Sequence, residues 1–214
     1  MSQKIIVRMT LPDHRLCFRN VAARRGNSLL FAGLNFDLTG GDLIWLQGPN
    51  GSGKTTILRL AAGFLVPEKG EVFWKLEAQD AVPEELVAYQ GHQDPLDTEL
   101  TVSQTLNFWT DMYNSQMDIA KCLTLAGLAN KQTVACGKLS AGQKRRLVLA
   151  RLLISNRPVW LLDETATMID SGGEHLFHSI LSDHLKRGGS ALLAAHRPVQ
   201  KIGATASRLV LGAA

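Results

Sequence analysis

The run Gly48-Pro49-Asn50-Gly51-Ser52-Gly53-Lys54-Thr55 constrains this chain more than anything else in its 214 residues. It fits the spacing G-x-x-x-x-G-K-[ST]. It also lies between an apolar segment, Leu43-Ile44-Trp45-Leu46, and a stretch from Thr55 to Ala62 that reads as a helix ending near Gly63. A buried strand feeding a glycine-rich turn and then a helix gives that spacing its physical meaning. Glycines let the backbone turn tightly and aim several N–H groups at phosphate oxygens. The helix start adds the positive end of its dipole. Lys54 is placed to neutralise the β and γ phosphates, and the Thr55 hydroxyl to hold Mg²⁺. The sequence therefore predicts a nucleoside triphosphate site on Gly48, Pro49, Asn50, Gly51, Ser52, Gly53, Lys54, Thr55 and Thr56.

The rest of the chain supplies a frame for that loop. Leu29 to Leu38 read as strand segments before a turn at Gly40-Gly41, and Val72-Phe73-Trp74 as a further strand opened by the turn signal Pro67 to Gly70. Apolar spacing from Val102 to about Leu128 is helical, and a second helix is expected from about Gly142 to Ile154. Val159 to Leu162 and Ala191 to Ala194 are short apolar runs of the kind buried in parallel sheets, separated by a helix near Glu174 to Leu185. Lys4 to Met9 reads as an early strand or an extension before one, and Arg208 to Leu211 as a last strand. Strand alternating with helix predicts an α/β chain with a mainly parallel sheet. The length fits one domain, with residues 94–150 as an inserted helical part.

Two further motifs bear on chemistry. Val159-Trp160-Leu161-Leu162 ends in Asp163-Glu164, which puts two carboxylates at the sheet edge where ligands bind. Asp163 suits Mg²⁺, and Glu164, pointing differently, suits orienting or deprotonating a water. Leu139-Ser140-Ala141-Gly142-Gln143 then resembles the LSGGQ signature of the ABC ATPases, with Ala141 at the third place. The family's other motifs follow in order. Gln93 matches the Q-loop glutamine, Asp170 in Thr167-Met168-Ile169-Asp170 the D-loop, and His196 the switch histidine.

That resemblance spans about residues 16–212 and implies a P-loop NTPase fold of ABC type. It implies an antiparallel β part beside the parallel sheet, a nucleotide-binding core over about 16–93 and 151–212, and a helical subdomain over about 94–150. It further implies that Lys54, Thr55 and Gln93 position phosphate, metal and water, with Thr55, Gln93 and Asp163 around Mg²⁺. Glu164 activates the water and His196 contacts the γ-phosphate. Ser140, Gly142, Gln143 and Asp170 then serve the nucleotide held by a second ATPase subunit, so a homodimer sandwiching ATP is expected. Two positions depart from the family pattern. Thr165 stands where a proline commonly follows the catalytic glutamate. Arg24 and Arg25 stand where an aromatic residue often stacks on adenine, leaving the Arg25 guanidinium plane to do so.

Composition excludes several other readings. Hydrophobic residues make up 45% and charged residues 20%, values of a folded domain. No uninterrupted apolar stretch reaches the roughly 18 residues of a membrane span. The net charge of +4 is too mild to identify an anionic partner. Lys144, Arg145, Arg146 and Arg151 lack interleaved aromatics, so nucleic acid is not expected. They read as a solvated or phosphate-facing side of their helix. Cys17, Cys122 and Cys136 form no CxxC pair and read as reduced thiols. His175 and His178, with His184 beyond, have no closed ligand set and read as a solvated helix face. His92 beside Gln93 reads as a packing or coupling residue. Phe108, Trp109, Met112, Tyr113 and Met117 read mostly as core, with some left to line a groove for a membrane subunit.

Within the ABC family the chain is most similar to ATP-binding subunits of cytochrome c maturation systems. The similarity rests on Gly91-His92-Gln93, Leu100-Thr101-Val102, the signature with its Lys-Arg-Arg-Leu extension, and Arg157 to Glu164. It implies a peripheral subunit on the cytoplasmic face of a bacterial inner membrane, or on the equivalent mitochondrial matrix face. The partners implied are a small polytopic membrane subunit and the haem-handling membrane proteins of that system. Either transport of haem or release of a haem-loaded chaperone fits, with release favoured. The ATPase of another small exporter or lipoprotein transporter, and a soluble ABC ATPase of iron–sulfur assembly, stay open as alternatives.

Overall fold

The computed structural model describes residues 10–91, 96–164, 171–195 and 206–212. The first half holds strands β1 (His14–Arg25), β2 (Ser28–Thr39) and β3 (Leu43–Gln47), helix α1 (Lys54–Ala61), strands β4 (Lys69–Leu76) and β5 (Gln79–Ala81), the short helix α2 (Pro83–Leu86) and strand β6 (Val87–Gln90). Helices α3 (Val102–Met112), α4 (Ile119–Leu125) and α5 (Ala141–Ser155) follow. Strand β7 (Val159–Asp163), helix α6 (Ser171–Lys186), and strands β8 (Ser190–Ala194) and β9 (Ala206–Val210) follow among the described residues.

Among the described residues, five strands form a parallel sheet in the order β6-β7-β8-β3-β9, and four form an antiparallel sheet in the order β2-β1-β4-β5. The central strands β3, β7 and β8 are buried on both faces, which is why each is almost wholly apolar. Alternation divides them. Ile44, Leu46, Val159, Leu161, Leu192 and Ala194 face one core with α1 and the antiparallel sheet. Leu43, Trp45, Trp160, Leu162, Ala191 and Leu193 face a second core with α5 and α6. A third core, among α3, α4 and α5, is that of the helical part. Helix α5 serves two cores at once, with Leu149 and Leu152 on the sheet side and Leu147, Ala150 and Ile154 on the helical side.

Several local expectations change. The helical spacing from Val102 to Leu128 is two helices. The chain breaks after Tyr113, with Asn114 left-handed at φ 48, and restarts where the Asp118 side chain accepts from the Ala120 N–H. Both helices turn apolar faces to the same core, so the periodicity runs on through the break. Strand β1 had no sequence signal of its own, because its buried and exposed residues follow an irregular pattern through register shifts at Phe18, Val21 and Ala23. His184 is 3% exposed and lies under Trp160 with ring centroids 3.8 Å apart, so it leaves the solvated face expected for it; His175 stays exposed. Cys17, Cys122 and Cys136 are free and buried. Burial pushes the Cys122 thiol up to about 12. No helix among the described residues is long and apolar enough to cross a membrane.

Candidate nucleotide site

Parallel strands carry their following loops to one edge of the sheet, and register aligns four of them here. Leu46 pairs with Ala194, Ala194 with Asp163, and Leu162 with Gln90. The glycine-rich loop leaves β3 at this edge, Glu164 follows β7, and the chain toward Gln93 and His196 leaves β6 and β8 here. Gln93, His196, Asp170, Thr165 and His92 themselves lie outside the described residues.

The loop is shaped by close approaches. Gly51 and Gly53 sit at φ 83 and 99, where a Cβ strains the backbone. At Gly48 a Cβ would come within 2.6 Å of Ser52 Oγ and 2.7 Å of the Leu211 carbonyl. Helix α1 starts at Lys54 with Gly53 as N-cap and no side chain capping it, so its first N–H groups face the loop. Lys54, 8% exposed, donates from Nζ to the carbonyls of Gly48 at 2.8 Å and Pro49 at 2.9 Å. Ser52 Oγ is buried with no hydrogen-bond partner among the described residues. Uncapped N–H groups, a buried hydroxyl without a protein partner and an ammonium bent over the loop fit a ligand rich in anionic oxygens.

A cleft of about 250 Å³ opens beside the loop, lined by Arg25, Leu30, Asn50, Gly51, Gly53, Lys54, Thr55, Thr56 and Glu164. Its lining joins the phosphate loop to Glu164, the residue after β7, and includes Arg25. Arg24 is held instead by Glu68 at 3.2 Å and the Asn27 carbonyl at 2.8 Å. Leu30 was missed in the sequence because an apolar residue in a strand gives no sign of which cavity it walls. Ser140, Gly142 and Gln143 do not line this cleft. Ser140 caps α5, with its Oγ accepting from Gln143 N at 3.3 Å and its own N–H donating to Gln143 Oε1 at 3.0 Å.

Asp163 is 5% exposed at the end of β7. The Tyr89 hydroxyl lies against Asp163 and Arg59; burial, and then the Asp163 charge, raise its pKa. Among the described residues no group of three His, Cys, Asp or Glu side chains could hold a metal. The Thr55 hydroxyl and the Asp163 carboxylate are hard oxygen donors, and completed by phosphate oxygens they would make a donor set that suits Mg²⁺.

The basic cluster of α5, expected as a solvated or phosphate-facing side of its helix, holds two residues that bond the protein's own backbone instead. Arg145 is 6% exposed and donates from Nη2 to the Glu164 carbonyl at 3.3 Å. Arg151 donates to the Tyr89 carbonyl and, at 3.1 Å, to Gln90 Oε1, with its guanidinium 5.9 Å from the Trp109 ring centroid. The buried Arg145 and the half-buried Arg151 hold α5 against the strand ends. A basic residue on a helix carries no mark in the sequence that it points inward.

Comparison with known proteins places these features. The family model for the ABC transporter matches residues 31–167. The chain is 39% identical over 201 residues to the cytochrome c biogenesis ATP-binding export protein CcmA of Rhodopseudomonas palustris, covering 94% of this chain and 99% of that one. It is 42% identical over 186 residues to the CcmA of Bradyrhizobium diazoefficiens, covering 85% and 92%. Among solved structures it resembles a putative ABC transporter ATP-binding protein of Pyrococcus furiosus, with TM-score 0.78 and 20% identity over 92% of this chain and 97% of that one. It also resembles a dimeric ATP-binding cassette in a post-hydrolysis state bound to ADP and Pi, with TM-score 0.71 and 21% identity over 85% and 88%. At such identities the two structures bear on the fold alone.

Proposed function

The chain belongs to the ABC transporter family, and from that premise we propose that it is the ATP-hydrolysing subunit of a membrane complex for c-type cytochrome biogenesis. The observation that carries the proposal is the near end-to-end similarity to CcmA proteins, 39% over 94% of the chain, joined to a cleft that contains both the phosphate loop and Glu164. In this reading Gly48 to Gly53 wrap the triphosphate with backbone N–H groups. Lys54 leaves the Gly48 and Pro49 carbonyls for the β and γ phosphates. Thr56 extends the phosphate contacts along the first turn of α1. Mg²⁺, held by Thr55, Asp163 and Gln93, would neutralise charge on the phosphate oxygens.

Glu164 takes the proton from the attacking water, while Gln93 and His196 orient the water and γ-phosphate. Arg25 supplies a flat cation against the purine, with Leu30 as the apolar wall beside it. Ser140, Gly142, Gln143 and Asp170 act on the nucleotide of a second copy, so the active unit is a dimer. Residues 16–93 and 151–212 bind nucleotide, and 94–150 face the membrane partner.

Exposed apolar residues support a docked partner. Phe64, Leu65 and Val66 are 64%, 43% and 91% exposed just after α1, and Phe64 meets Tyr89 edge-on at 5.3 Å. On the helical part Phe108 and Met112 are 58% and 52% exposed, whereas Trp109 is core. A small polytopic subunit resting on these residues would feel motion of the strand that leads to Gln93. The complex then sits on the inner face of the membrane and couples ATP hydrolysis to handling of haem with the haem-handling proteins of the system.

A detergent pull-down of tagged Glu164→Gln chain with ATP and Mg²⁺ tests this, with partners identified by mass spectrometry and haem by absorbance. Glu164→Gln is expected to bind ATP and lose at least about a hundredfold of turnover. Recovery of a small polytopic protein with haem supports the pathway. An unrelated permease, or soluble iron–sulfur proteins alone, would remove the pathway and keep the ATPase.

A further inference from the structure

We propose that Arg145 is a positioning residue for Glu164, tying the helix that starts at the Ser140 cap to the residue that activates water. The inference rests on Glu164 as the water-activating carboxylate. Its starting point is the backbone. Glu164 has φ 53, in the left-handed region. The other described non-glycine residues with positive φ are Asn20, Asn114 and Asn156, whose side chain tolerates that region, and the pair Glu77-Ala78 in the turn between β4 and β5. Glu164 alone among them directly follows a strand of the parallel sheet.

The left-handed turn has a purpose that strand alternation makes visible. Val159 and Leu161 face the core shared with α1, so Asp163 shares their side, while Trp160 and Leu162 face the opposite core. A strand continued by one residue would send the Glu164 side chain to the side of Trp160 and Leu162. Glu164 instead lines the cleft with Asn50, Lys54 and Thr55, at the N-terminus of α1. Reversing φ at this one residue brings the carboxylate to the phosphate loop.

A strained residue keeps such a conformation only where its surroundings fix it. Both peptide groups of Glu164 are fixed. Its N–H donates to the Ala194 carbonyl at 2.8 Å, and its carbonyl accepts from Arg145 Nη2 at 3.3 Å. The first bond comes from β8 and the second from α5, whose N-terminus is the Ser140–Gln143 capping box. Arg145 is 6% exposed, and a guanidinium so buried is costly unless it bonds. A displacement of α5, as when its N-terminus meets an anion, is thereby passed to the carbonyl of Glu164 and to the direction of its carboxylate.

The test is ATP turnover by the tagged chain in its detergent-solubilised complex, with nucleotide affinity read by a fluorescent ATP analogue. Arg145→Met is expected to lower kcat about tenfold and to leave the KM for ATP and the analogue affinity within about twofold. Arg145→Lys, which keeps a donor, is expected to recover most of the loss. In a Glu164→Gln background, Arg145→Met is expected to change the residual turnover less than about twofold, because the carboxylate it positions is gone. Normal turnover in Arg145→Met beside an inactive Glu164→Gln would overturn the role of Arg145 alone. So would kcat, affinity and Tm falling together with no rescue by lysine, the pattern of a merely structural residue. Full turnover in Glu164→Gln would overturn the carboxylate assignment, and the inference with it.

Discussion

Glycine spacing in the phosphate loop hides three different physical demands. A methyl group on Gly48 meets Ser52 Oγ at 2.6 Å and the Leu211 carbonyl at 2.7 Å, whereas one on Gly51 meets nothing within 4 Å and bears only the strain of φ 83. Gly53 lies between, with the Phe31 ring 3.0 Å from the would-be methyl. Gly48→Ala should therefore destabilise the chain by about 1–3 kcal/mol through overpacking, added to the backbone strain of φ 152. Gly51→Ala should cost about 1 kcal/mol through backbone strain alone. Urea denaturation of the two variants side by side checks this; equal losses would mean that the loop relaxes around Gly48. The glycine pattern was legible in the sequence as a phosphate loop. Which glycine guards a close approach was not, because Leu211 reaches it from the far end of the chain.

Two helices open on the same device, and comparing them separates capping from chemistry. Thr101 and Gln104 form a capping box at the start of α3, as Ser140 and Gln143 do at the start of α5. Thr101→Ala and Ser140→Ala should each cost about 1 kcal/mol of stability, because each removes one N-cap acceptor. If the N-terminus of α5 also meets the nucleotide of a second copy, Ser140→Ala alone should lower ATP turnover, by about tenfold or more, with Thr101→Ala near wild type. Equal turnover in the two variants would reduce Ser140 to a cap. Both boxes are readable as S/T-x-x-Q in the sequence. The break between α3 and α4 is not, because their two apolar faces meet one core and the helical period survives the interruption.

Across the whole molecule, the end of the parallel sheet away from the cleft is closed by two buried histidines. His14 Nε2 lies 2.7 Å from Ser190 Oγ, and its Nδ1 lies 3.0 Å from the Pro12 carbonyl. His184, stacked on Trp160, has Nε2 3.2 Å from the Ser190 carbonyl. Together they join the start of β1, the start of β8 and the end of α6. Burial lowers the pKa of both and pushes His184 down to about 3. The unfolded chain takes up protons on these imidazoles near pH 6.5, whereas the native chain takes them up only at lower pH. Their contribution to stability is thus complete above that pH and is lost as pH falls below it, for His184 down toward 3. His184 alone should remove about 2 kcal/mol between pH 7.5 and pH 5. Urea midpoints at the two pH values measure the loss. His184→Phe, which keeps a ring on Trp160, should flatten the dependence; an unchanged slope would place the acid sensitivity in other groups.

Local patterns in the sequence determined the phosphate loop, the α/β alternation, the apolar strand before Asp163-Glu164 and the capped start of α5. Each is written in consecutive residues, whose spacing alone sets turn geometry, helix period or burial on two faces. Only the tertiary structure decided that Arg145 and Arg151 bond inward, that His184 lies under Trp160, that Leu30 walls the cleft beside Arg25, and that Glu164 reverses its backbone to line the cleft with Lys54. Those outcomes depend on which distant segment arrives opposite a side chain. The spacing of a helix or strand states which residues share a face; it does not state what the fold will bring against it.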